Sequence, residues 1–145
     1  MMHSTALAAL AALALAAPAV AGPRGPGIVK VSGSSLGKIL VNGGGRTLYM
    51  FTRDRRNKDR CAGVQGCLGV WPPLLTKGKP IARGGAKSAL LGTIKLRDGT
   101  MQVTYNGWPL YTYVGDATPH QTSYVGINQF GGLWYALNSA GGLVK

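Results

Sequence analysis

Beyond residue 27 the chain alternates short apolar runs with clusters of turn-forming residues, and nowhere does an apolar residue recur every three to four positions over a helix length. The runs predict strands at residues 28–31, 39–41, 47–51, 93–96, 101–105, 110–113 and 133–137. Asp98-Gly99 separates two of them as a hairpin turn would, and Asn106-Gly107 opens the next turn, so residues 93–113 read as a three-stranded meander. Gly43-Gly44-Gly45 marks another hairpin turn. Glycine supplies 23 of 145 residues, which suits many tight turns and few helices. The expected fold class is all-β.

The same pattern occurs twice. LYMFTRD at Leu48–Asp54 returns as LYTYVGD at Leu110–Asp116. An offset of 62 residues also carries Val41 onto Val103 and Gly45 onto Gly107, and one further residue of shift carries Trp71 onto Trp134. Two β-meander units of about 60 residues are each too small to bury much surface alone. They are expected to share one core, as a sandwich or a closed, barrel-like sheet, over residues 28–145, with repeats at about 28–90 and 91–145.

Alternation in a strand puts Tyr49 and Phe51 on one face with Leu48 and Met50 opposite, and Tyr111 and Tyr113 repeat the arrangement. Asp54 and Asp116 then stand just past the strand ends, where a carboxylate accepts N–H bonds from the following turn. That scaffold role competes with a functional one, a carboxylate pair for acid/base work or cation binding, which requires the two repeats to bring both Asp together. Trp71 and Trp134 complete the repeated aromatic set.

Residues 1–21 combine an Ala/Leu run with Pro18 and a small-residue site at Ala19-Val20-Ala21, which reads as a cleaved secretory signal lacking the usual positive start. The run is too short for a membrane span, for which ~20 residues are needed. No cysteine near the processing site is available for a lipid anchor. Residues 22–27, GPRGPG, read as a linker. The expected location is secreted or periplasmic.

In that setting Cys61 and Cys67, the only cysteines, most simply form a local disulfide. The alternative is a soft copper site using both thiolates and a methionine, in a redox or copper-handling accessory protein. Formal charge is +12 and uneven: residues 22–97 hold fifteen basic residues and two acids. RDRRNKDR concentrates five cations, Arg53, Arg55, Arg56, Lys58 and Arg60, and the matching stretch of the second repeat has none. This loop is the candidate site for an anionic envelope polymer or lipid surface, the competing reading being a solvated face that only aids solubility. Nothing resembles a nucleic-acid module. Glutamate is absent, no nucleophile motif surrounds His120, and no cofactor-binding loop is present, so no enzyme and no cofactor are expected.

The repeated Yx(F/W/Y)xxD motif, Tyr49–Asp54 and Tyr111–Asp116, together with CLGVWPPLL, VTYNGWPLY and NQFGGLWYAL, resembles a secreted repeat of unknown function, also described as a predicted lipoprotein family. The resemblance covers nearly all of residues 22–145. It implies an exported two-copy β domain with no established activity. This chain departs from it in lacking the lipid-attachment cysteine and in a wider cysteine spacing than many relatives have.

Overall fold

A computed structural model describes residues 22–145; the signal reading at residues 1–21 lies outside them. Strand β1 (Ile28–Ser34) pairs antiparallel with β2 (Gly37–Asn42). The chain then forms β3 (Tyr49–Phe51), a 3-10 turn at Cys61–Gly63, a single helical turn α1 (Cys67–Val70), β4 (Leu75–Thr76) and β5 (Ile81–Arg83). The second half supplies β6 (Leu91–Lys95), β7 (Met101–Tyr105), β8 (Trp108–Pro109), β9 (Ile127–Gln129), β10 (Gly132–Leu137) and β11 (Leu143–Val144). The class is all-β, arranged as three small sheets. In the first, β5 joins β1 in parallel. In the second, β10 pairs with β3, β9 and β11. In the third, β7 pairs with β4, β6 and β8.

Turn chemistry explains the hairpins. Asn106 and Gly107 both adopt positive φ, 50° and 82°, the geometry a two-residue hairpin turn demands. Asp98 Oδ1 accepts from the Thr100 N–H at 2.9 Å and closes the β6–β7 connection. Asn42 Oδ1 accepts from the N–H groups of Gly44 and Arg46, each at 3.0 Å, holding the glycine turn after β2.

The predicted strand at 110–113 is not a regular strand. After Leu110 the backbone leaves β7 and splits its bonds between two partners: Tyr111 exchanges bonds with Tyr49, while Thr112 and Val114 donate to the Pro72 and Val70 carbonyls. The parallel strand β5 was not visible in the apolar pattern, because its three residues are only half covered or exposed.

The alternation within β3 divides the interior in two. Leu48 and Met50 join Val29, Leu40, Val103, Tyr105, Leu110 and Leu137 in one buried cluster drawn from both halves of the sequence. Tyr49 and Phe51 face the other way, into an aromatic cluster with Cys61, Cys67, Trp71, Tyr111 and Trp134. Close backbone approach permits this second cluster. A Cβ at Gly132 would stand 2.5 Å from the Phe51 ring, a contact real side chains do not make.

Gly132→Ala should therefore destabilise the domain by about 1–3 kcal/mol through overpacking. Gly33→Ala, where an added Cβ meets nothing within 4 Å, should change stability far less. Chemical denaturation of both variants checks the difference, and equal losses would contradict the steric account.

Candidate functional site

The two repeats meet at their Tyr residues. Tyr49 N–H donates to the Tyr111 carbonyl at 2.8 Å and Tyr111 N–H returns the bond at 3.0 Å. Around this reciprocal pair the Tyr–Asp bonds and the ring stacking cross from one repeat to the other. Tyr49 Oη donates to Asp116 Oδ2 at 2.7 Å, and Tyr111 Oη donates to Asp54 Oδ2 at 2.8 Å. Phe51 stacks on Trp134 at 4.1 Å between centroids, Trp134 on Trp71 at 3.7 Å, and Trp71 on Tyr113 at 4.7 Å. These four rings form one column in which each repeat's aromatic lies against the other's Trp. Tyr49 and Tyr111 meet Trp71 and Trp134 edge-on, at 5.1 and 5.2 Å, a favoured geometry for aromatic pairs.

Each Asp also binds its own following segment. The Arg60 N–H donates to Asp54 Oδ1 at 2.7 Å. Ser123 donates to Asp116 Oδ1 through its hydroxyl at 2.6 Å and its N–H at 3.3 Å. The carboxylates thus serve as crossed anchors between the repeats and as ties for the chain that leaves each strand. Both are buried, 4 % exposed for Asp54 and 2 % for Asp116. Sequence reasoning missed that the tyrosine bonded to each Asp lies in the other repeat, since intra-repeat spacing carries no information about crossing.

The copies differ electrostatically. Burial raises the Asp54 carboxyl from its ordinary 3.8 to about 7; the bonds from Arg60 N–H and Tyr111 Oη oppose this, and the nearby Asp59 charge adds to it. Asp59 also crowds the Tyr111 hydroxyl, whose single proton is committed to Asp54. Asp59 Oδ1 accepts from the Ala62 N–H at 2.9 Å, but its Oδ2 is buried without a donor. Burial, with the neighbouring carboxylates, also pushes the Tyr49 and Tyr111 phenols well above their usual range.

Cys61 and Cys67 form a disulfide with Cα atoms 5.4 Å apart, buried against the aromatic column. Trp71 Nε1 donates to Gln129 Oε1 at 2.9 Å, a partner that lies in the NQFGGLWYAL stretch. Among the described residues no group of three or more His, Cys or Asp is placed to hold a metal ion, and no helix is long and apolar enough to cross a membrane.

The five loop cations have different partners. Arg53 Nη1 donates to the Phe130 carbonyl at 3.0 Å, and Arg56 Nη1 reaches the Asn106 carbonyl at 3.4 Å. Arg55 is exposed and lies in a tight turn, its N–H donating to the Lys58 carbonyl at 3.2 Å. Lys58 and Arg60 line a surface cleft of about 430 Å³ whose other wall carries Lys95 and Arg97 from the end of β6 and the turn after it. Asp59 belongs to the same lining. Lys95 and Arg97 were not singled out in the sequence, because they stand 35 or more positions beyond Arg60, at the end of β6 and in the turn after it.

In this domain two Yx(F/W/Y)xxD elements interlock through Tyr, Trp and Asp. The family pattern described as a secreted repeat of unknown function matches residues 30–75 and 92–138, and the chain belongs to that family. No curated protein and no solved structure shows significant similarity to it.

Two predictions follow from the crossed anchors. Tyr111→Phe leaves a buried Asp54 oxygen without its donor and should cost about 1–3 kcal/mol, and Tyr49→Phe should act likewise on Asp116; denaturation curves of both variants check this, and a neutral effect would remove the anchoring role. Because the Asp54 pKa is raised in the folded state, the stabilisation linked to its proton is fully present below about 3.8 and is lost as pH rises through about 7. Thermal stability should decline from pH 5 to pH 8, and Asp54→Asn should flatten that decline.

Proposed function

We propose that this domain is exported after removal of residues 1–21, has no catalytic role, and binds an anionic envelope or extracellular polymer. The observation that carries the reading is the convergence of Lys58 and Arg60 with Lys95 and Arg97 on one cleft. Four exposed cations from two distant segments produce a local positive field that a strip of sequence would not, and such fields concentrate polyanions at a surface. The buried motif carboxylates favour a non-catalytic reading, since Asp54 and Asp116 spend their acceptor positions on tyrosine hydroxyls and following backbone N–H groups. A copper-handling reading has less support: both thiols it needs are joined in the disulfide.

Retention on a dextran sulfate matrix tests the proposal. The fourfold change Lys58→Gln, Arg60→Gln, Lys95→Gln and Arg97→Gln should lower the eluting salt concentration clearly more than Arg53→Gln, Arg55→Gln and Arg56→Gln together. Retention of the unaltered protein should itself weaken with salt, as the ~8 Å screening length at physiological ionic strength requires. Equal elution of the fourfold variant and the parent would sink the reading.

A further inference from the structure

The cleft lining includes one carboxylate, Asp59, that has no acidic counterpart in the second repeat. Asp59 lines the cleft and also reaches inward toward the Tyr111 hydroxyl, placing one carboxylate between the cationic surface and the buried Asp54. The corresponding position in the second repeat is not acidic: Asp116 receives its hydroxyl bond from Ser123, and Gln121 Nε2 donates to the same Ser123 Oγ at 2.7 Å. The first repeat instead has too few protons for its acceptors. Tyr111 Oη, Arg60 N–H and Ala62 N–H donate once each, and Asp59 Oδ2 is left without a donor in the interior. A buried acceptor without a partner carries the full cost of desolvation. One additional proton supplies the missing donor and removes one of two adjacent negative charges.

We propose that Asp54, Asp59 and Tyr111 form a proton-holding cluster joined to the cationic cleft through Asp59, so that uptake of one proton tightens the cleft's hold on a strong-acid polyanion and its loss loosens it. The inference rests on the anion-binding reading of the cleft. The ligand class is a polymer bearing sulfate monoesters or phosphodiesters, groups that keep their charge across the relevant pH range, so the pH response resides in the protein. The groups facing Asp54 are the Tyr111 hydroxyl, the Asp59 carboxylate, and the Arg60 backbone N–H and guanidinium. Arg60 is shared by both halves of the device, since its N–H binds Asp54 and its residue lines the cleft. Burial places the Asp54 transition near neutrality, so the cluster takes up its proton as pH falls through about 7. Removal of one negative charge close to a bound anion, in largely aqueous surroundings, should strengthen binding roughly twofold.

The affinity of the purified protein for dextran sulfate and for poly(glycerol phosphate) is measured from pH 5.5 to pH 8.5 at constant ionic strength. A His120→Asn background removes the one described histidine, which hydrogen-bonds Ser32 at 3.0 Å and is absent from the cleft lining. The expected result is roughly twofold tighter binding at the acid end, absent in Asp54→Asn. The polymer bound more tightly identifies sulfate or phosphodiester as the source. A pH-independent parent, or an Asp54→Asn variant that keeps the pH response, overturns the proposal while leaving the cleft's role standing. Carboxyl 13C NMR titration of Asp54 gives a readout independent of binding and of the variant's folding. Asp59→Asn should lower the Asp54 midpoint, and an unmoved midpoint counts against the cluster. If neither polymer binds at any pH, the anion-binding reading fails and the proposal of proton-linked binding fails with it. An Asp54 midpoint near 7 that falls in Asp59→Asn would, beside such a result, still show that the proton cluster itself exists.

Discussion

The reciprocal backbone pair between Tyr49 and Tyr111 is the contact on which the remaining geometry depends. It places two equivalent motif segments side by side, and their side chains then find partners across the junction. Each tyrosine reaches the other repeat's carboxylate, while Phe51 and Tyr113 each cover the other repeat's tryptophan. Neither repeat could satisfy its own motif alone. Separated from the second copy, the first would keep Asp54 without its tyrosine and Trp71 without its stacking partners, an interior with unmet hydrogen bonds and exposed rings. Mutual completion of this kind makes a core from two units too small to have one each.

That arrangement also explains why aspartate belongs at the motif's last position. Its two oxygens are used in different directions, one toward the opposing tyrosine and one toward the segment that follows its own strand. A carboxylate serves two donors at once more naturally than an amide, whose nitrogen must donate. The cost is burial of charge, and the copies meet it differently. Asp116 has the Ser123 hydroxyl and N–H beside its tyrosine, whereas Asp54 has one backbone N–H, one tyrosine and a second carboxylate nearby. The loop that follows Asp54 is thereby bound to a titratable interior. The same loop delivers Lys58 and Arg60 to the cleft, so the domain's asymmetry in charge and its asymmetry in buried proton demand occupy one segment.

Much of the architecture was legible in the chain. Alternation in LYMF assigned Leu48 and Met50 to one side and Tyr49 and Phe51 to the other, and the two buried clusters divide the same way. Asn106-Gly107 marked a turn because its backbone needs positive φ at both positions. Two cysteines six positions apart formed the expected disulfide. Less visible were the very short strands β4, β5, β8 and β11, which are held by pairing with distant neighbours and have too few residues to show periodicity. The apparent strand at 110–113 failed for a related reason: apolar alternation reports which face is buried and says nothing of how many partners share the backbone.

The sequence by itself determined the strand-rich class, the duplication, the two-faced motif strand and the concentration of cations in the first half. These follow from local backbone preference and side-chain polarity. Only the tertiary structure decided that the copies exchange their Tyr–Asp bonds and stack their rings across the junction, that the five cations of RDRRNKDR have different partners, and that Lys95 and Arg97 complete a cleft with two of them. Those outcomes depend on which strand edges meet in space. A repeat spaced 62 residues apart fixes equivalence between positions, and the physical pairing of LYMFTRD with LYTYVGD fixes what that equivalence is used for.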